Sequence, residues 1–113
     1  MAAVAMACQL RQVAYETLDT QQQCRTFSIS ATEFERCATK SESVEERYDQ
    51  YAAAAGCYAQ AQDHKKAVRS FVLAHKFTEA AQHCLSNGLL DGTINIIRNY
   101  DSHHLSLMLI RRP

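Results

Sequence analysis

Apolar and small residues recur along the chain at alternating intervals of three and four, as one face of an α-helix requires. Ala3, Ala7, Leu10, Ala14 and Leu18 form the first such stripe. The polar run from Asp19 to Gln23 predicts a turn. Phe27, Ala31, Phe34 and Ala38 then predict a second helix capped by Ser28 or Ser30, and Ser30 with Glu33 has capping-box spacing. The stretch TKSESVEER reads as an acidic loop. Beyond it Val44, Tyr48, Tyr51, Ala55 and Tyr58 make the seam of a third helix, and the run from Ala52 to Gly56 is thin enough for a neighbour to approach closely.

From Tyr58 a longer period is superimposed. Tyr58, Phe71 and Cys84 lie 13 residues apart, as do Ala61, Ala74 and Asn87, then His64, Phe77 and Leu90, then Ala67, Ala80 and Thr93. Asp63 is placed to cap a helix reaching Ala74 that buries Ala67, Val68 and Phe71. Lys76 to Ser86 predicts the next, with Phe77, Ala80, Ala81, Cys84 and Leu85 inward, and Asn87-Gly88 stops it because both tolerate the left-handed conformation. Leu90 to Tyr100 carries Ile94, Ile97 and Tyr100 at intervals of three, and Asp101 or Ser102 would cap a last helix, HHLSLMLIRR.

Each 13-residue beat holds about two and a half helical turns plus a short connection. A helix of that length cannot bury its stripe alone and must stack on its neighbours, which is the logic of a solenoid. The fold class expected is all-α, a tetratricopeptide-like α-solenoid of short antiparallel helices, read as part of a longer array. Two beats make a hairpin shorter than a standard tetratricopeptide unit, and the competing architecture is a single small helical bundle. Residues 1–43 would supply N-terminal helices and the acidic loop, and residues 44–113 one continuous repeat segment.

Composition supports helix. Three glycines and one proline in 113 residues leave little material for strands, and no global field draws the chain to nucleic acid or membrane because the net charge is zero. Residues 1–50 hold five basic and eight acidic side chains and residues 51–113 seven and four, an asymmetry ordinary for solvated helix faces. The five cysteines, Cys8, Cys24, Cys37, Cys57 and Cys84, include no CxxC pair. Cys8, Cys57 and Cys84 fall among apolar helical positions, so a reducing intracellular compartment, cytoplasm or nucleus, is expected. The start, MAAVAMACQLRQ, lacks a basic n-region and is far shorter than the ~20 apolar residues of a membrane span; a mitochondrial presequence is weakly supported, with Arg11 its only basic residue before Glu16.

Candidate chemistry is sparse. His64, His75, His83, His103 and His104 form no HxxxH or HExxH pair, so no metal site and no cofactor is expected. Glu33, Glu35, Glu45, Glu46 and Asp49 lie in polar segments and read as solvated. His83 adjoins Cys84, but Cys84 takes the beat position of Tyr58 and Phe71 and reads as core rather than nucleophile. Gly88 and Gly92 carry no phosphate-loop pattern. Lys65, Lys66 and Arg69 form a small basic patch, without the interleaved exposed aromatics of a single-strand binder.

The run YAAAAGCYAQAQDHKKAVRSFVLAHKFTEAAQHCLSNGLLDGTINII resembles the helical-repeat region of tetratricopeptide and ankyrin repeat-containing proteins, many of which, in fungi especially, carry a UvrD-like helicase domain. The likeness covers about residues 48–100 and runs through Cys57, Tyr58, Asp63, Ala67, Ala74, Gly88 and Ile96, with FTEAAQHC its sharpest part. Gln62 stands where that family has glycine, Ser86-Asn87 replaces a Lys-Ala pair, and Gly92 replaces a helix-favouring residue. The family's helicase motifs have no matching positions, so no catalytic residue is implied.

The leading expectation is a non-catalytic interaction or spacer module, a fragment of a larger UvrD-helicase-like protein, whose partner is another protein or the neighbouring repeats. The alternative is an accessory segment that positions nucleic acid or nucleotide for a helicase or ATPase, through Lys65, Lys66 and Arg69. A metal or redox module is a third class, which elemental analysis of the purified protein would reveal. Leu105, Met108 and Leu109 share one stripe and predict self-association. Replacing Leu105 and Met108 with glutamate should yield a monomer of unchanged helix content. Sedimentation and circular dichroism check this, and a double variant that unfolds would instead make the strip core.

Overall fold

The structure, a computed structural model, describes residues 2–99. Tyr100, the expected last helix and the strip of Leu105, Met108 and Leu109 lie outside the described residues. Every regular element among the described residues is helical: α1 (Ala2–Glu16), α2 (Thr20–Lys40), α3 (Val44–Gln60), α4 (His64–Leu73), α5 (Phe77–Ser86) and α6 (Leu90–Asn99). No helix among them is long and apolar enough to cross a membrane.

The 13-residue period has a backbone cause. Gln62, His75 and Gly88 have φ of 67°, 58° and 72°, the left-handed residue that ends a helix. Around each, the same two bonds close. The amides of Asp63, Lys76 and Leu89 donate to the carbonyls of Tyr58, Phe71 and Cys84 at 2.9, 2.9 and 2.8 Å. Those of Gln62, His75 and Gly88 donate to Ala59, Val72 and Leu85 at 3.1, 3.0 and 3.3 Å. These are three Schellman motifs in one register. The residue that closes each also begins the next helix: the carbonyls of Asp63, Lys76 and Leu89 accept from Ala67, Ala80 and Thr93 at 3.0, 2.9 and 3.1 Å. One turn thus satisfies the end of one helix and the start of another.

Each helix packs chiefly on its neighbours in sequence, and the whole measures 40 × 35 × 19 Å, about two helix diameters thick. One apolar cluster joins α1 to α4 through Ala7, Ala14, Phe27, Ala31, Phe34, Ala54, Cys57, Tyr58 and Ala67, and so runs across residues 43 and 44. A second joins Ala80, Ala81, Cys84 and Ile96, with Val68, Phe71, Phe77 and Leu89 packed on it. Alanine dominates because it lets helix backbones come close. Gly92 does the same for α5 and α6, since a Cβ there would lie 3.0 Å from the Cys84 sulfur.

Several sequence expectations are corrected. The run from Asp19 to Gln23 is not a turn: Asp19 caps α2 by accepting the Gln22 amide at 2.9 Å, and the helix starts at Thr20. Ser30 is therefore no cap. It is buried mid-helix and donates to the Ala7 carbonyl at 2.7 Å, tying α2 to α1. Leu18, expected on the α1 stripe, falls beyond the end of that helix and is fully exposed. Val44, Leu85 and Ile94 also face outward, because the inward faces of their helices are taken by Ala55 and Tyr58, by Cys84, and by Thr93 and Ile96. Asn87 has φ −111°, so Gly88 alone provides the left-handed residue of its turn.

Gln62 holds a conformation that costs an L-residue roughly 1–2 kcal/mol. Gln62→Gly should raise stability by about 0.5–1 kcal/mol after the added freedom of the unfolded chain is subtracted. Gly88→Ala should lower it by about 1 kcal/mol through backbone strain alone, as a Cβ there meets nothing within 4 Å. Urea titrations of both variants check the pair; a Gln62→Gly protein less stable than wild type would contradict the turn assignment.

Candidate interaction groove and side-chain clusters

The stretch TKSESVEER is not all loop: Thr39 and Lys40 end α2, Val44 to Arg47 begin α3, and the three-residue link 41–43 shapes the N-terminal end of α3. Ser43 caps the helix by accepting the Glu46 amide at 3.3 Å, Ser41 donates to the Glu46 carboxylate at 3.3 Å, and Arg47 donates to the Ser41 carbonyl at 3.1 Å. Glu45, Glu46 and Asp49 are thereby held on the exposed side of α3. Two adjoining clefts of about 480 and 330 Å³ open beside it, sharing Val4 of α1 and Glu46 and Gln50 of α3. Phe34 and Cys37 of α2 line them from below, and Glu42, Asp49, Arg11 and Lys40 supply charge. The Arg11 guanidinium lies 5.0 Å from the Phe34 ring centre, a cation–π contact that holds it against α2. Gln50 Oε1 is buried with no hydrogen-bond partner. The groove therefore offers acceptors at its rim, the carboxylates of Glu42, Glu46 and Asp49.

The sequence-predicted basic patch is largely engaged within the protein. Arg69 reaches back to Glu35 of α2 at 3.3 Å, and the same carboxylate accepts from the buried Ser70 hydroxyl at 3.2 Å. Lys66 lies 3.8 Å from Asp63 and 5.7 Å from the centre of the Tyr58 ring. Lys65 stands apart from both, on the wall of a cleft of about 470 Å³ between α4 and the α5–α6 turn, with Val68, Cys84, Leu89 and Asp91. The three residues thus share a helix turn but do not converge on one site.

The histidines behave otherwise. His64, the first residue of α4, and His83, near the end of α5, meet with Nδ1 and Nε2 2.9 Å apart and ring centres 5.0 Å apart. Residues 19 apart in sequence carry no pairing signal, and antiparallel packing of α4 on α5 creates this one. Burial, and then the neighbouring His64, push His83 below the usual histidine range. His75 stacks on Tyr48 at 4.3 Å and meets its hydroxyl at 3.2 Å, which holds the α4–α5 turn against α3.

All five cysteines are unpaired, and three are buried. Burial pushes the thiols of Cys57 and Cys84 up, so both stay protonated at neutral pH. Cys57 lies 3.7 Å from the Ser30 hydroxyl within the core, and Cys84 is the wall against which Gly92 packs. Among the described residues no group of three or more His, Cys, Asp or Glu side chains is arranged to hold a metal ion.

Compared with protein-family models, curated proteins and solved structures, the chain gives no match.

The lowered affinity of His83 for a proton sets a pH dependence. Below the unfolded-state value of ~6.5 the unfolded chain takes up a proton that the folded chain resists, so stability falls with pH. The melting temperature should therefore drop between about pH 7.5 and about pH 5.5, and the drop should shrink in His83→Gln. Thermal melts across that range check it; an identical pH profile in the variant would assign the effect elsewhere.

Proposed function

We propose that this chain is a non-catalytic helical-repeat interaction module, a tetratricopeptide-like α-solenoid whose groove beside α3 receives a protein segment. The observation that carries the reading is one turn geometry recurring at Gln62, His75 and Gly88 between helices that each pack on the next. Nearest-neighbour stacking of short helices leaves extended surfaces uncovered, and arrays of this kind use such surfaces for binding.

The groove's chemistry selects the partner. Glu42, Glu46 and Asp49 outnumber Arg11 and Lys40. A segment bearing lysine or arginine would bring donors to these acceptors while its apolar side chains rest over Val4 and Ala53. The resemblance of residues 48–100 supports reading the module as part of a larger UvrD-helicase-like protein. Five unpaired thiols fit a reducing compartment, cytoplasm or nucleus.

The nucleic-acid reading rests on Lys65, Lys66 and Arg69 alone, and Arg69 and Lys66 already have acidic neighbours. Peptides selected from a random library against the full chain should be rich in lysine and arginine. Their affinity should fall about tenfold when Glu46 and Asp49 are both changed to lysine. Tight binding of single-stranded DNA with a steep salt slope, lost in Lys65→Glu with Lys66→Glu, would overturn the peptide reading in favour of the nucleic-acid one.

A further inference from the structure

The contact between His64 and His83 is a hydrogen bond in which one ring nitrogen carries the hydrogen and the other a lone pair. If that hydrogen moves to the far nitrogen of the donating ring, His64 Nδ1 and His83 Nε2 face each other with two lone pairs and no change in charge. Two nitrogens bound to one metal ion at ~2.0–2.1 Å and at right angles lie about 2.9 Å apart, whereas a tetrahedral angle needs about 3.3 Å. The observed separation is 2.9 Å. The hydrogen bond itself sets that spacing, which brings both nitrogens within reach of one ion after a small tilt of the rings, and imidazole sites bind nickel and copper more tightly than the earlier divalent ions.

We propose that His64 and His83 form a two-histidine site for a divalent transition-metal ion of the nickel and copper class, bridging α4 to α5. The remaining positions are filled by water, since no third His, Cys, Asp or Glu among the described residues joins the pair in a ligand cluster. The backbone holds both ligands in place. His64 follows the Asp63 cap directly, and the carbonyl of His83 accepts from the Asn87 side chain at 2.9 Å. The Phe71 ring, 6.1 Å from His83 centre to centre, closes one side. An ion that spans two helices also stabilises the folded chain, because the unfolded chain does not hold the two rings together.

The probe is Ni²⁺, titrated at neutral pH into the full chain carrying His103→Gln and His104→Gln, which removes a second histidine pair from competition. One ion per chain should bind, with paramagnetic broadening of amide signals at the start of α4 and the end of α5, and the melting temperature should rise. His64→Gln and His83→Gln should each weaken binding about a hundredfold, because a chelate becomes a single-point contact. Circular dichroism confirms that each variant is folded. If His83→Gln unfolds, His64→Gln decides, as its side chain is only partly buried at a helix start. Equal Ni²⁺ affinity in the folded variants and their parent, broadening elsewhere in the chain, or no uptake by the folded parent at millimolar Ni²⁺ would each overturn the site.

Discussion

The left-handed turn at Gln62, repeated at His75 and Gly88, is the constraint on which the second half of this protein depends. A helix end leaves carbonyls unsatisfied, and the next helix start leaves amides unsatisfied. Here one residue, Asp63, Lys76 or Leu89, closes the first helix with its amide and opens the second with its carbonyl. That sharing fixes a short connection and reverses the chain. It also sets the rotation of each helix relative to the last, so that Ala67, Ala80 and Thr93 all arrive buried. Two of the three turns use a side-chain-bearing residue where glycine is unstrained. His75 is compensated by its stack on Tyr48, while Gln62 is exposed and its strain has no such offset in view.

With the turns set, small residues do most of the packing. Ala7, Ala14, Ala31, Ala54, Ala55, Ala67, Ala80 and Ala81 are fully buried, and among the described residues Phe27 is the largest side chain buried to within 1%. An alanine-lined interface releases little apolar area per residue, so helices must approach closely to gain from it. Buried hydroxyls then become useful. Ser30 reaches the Ala7 carbonyl and Ser70 reaches Glu35, each linking helices where a larger apolar group would hold them apart. The same economy of side chains leaves the space beside α3 unfilled.

The groove and the histidine pair differ in origin. The groove exists because α1 and α3 both lean on α2 and leave Phe34 and Cys37 between them, with the acidic rim supplied by Glu42 of the α2–α3 link and by Glu46 and Asp49 of α3. The pair exists because a helix start and the neighbouring helix end coincide in space. Charge placement follows the same geometry. Arg69 turns to Glu35 across the α2–α4 approach, which removes a cation from the surface that the sequence places beside Lys65 and Lys66.

Helical class, the positions of α3 to α6 and the inward alanines of α3 to α5 follow from local rules: three-and-four spacing, Asp63 as a cap, Gly88 as a stop, and a strict beat of 13. Those signals lie within one or two turns of chain, so they are present in the sequence by itself. The start of α2 is not legible in the sequence because glutamine and threonine are polar yet helix-compatible, and Asp19 can begin a helix as readily as a loop. Outward placement of Leu85 and Ile94, burial of Ser30, pairing of Arg69 with Glu35 and the meeting of His64 with His83 were decided only by tertiary structure. Each depends on which face of a helix its neighbour covers, a relation between residues 19 to 34 apart that no local pattern encodes.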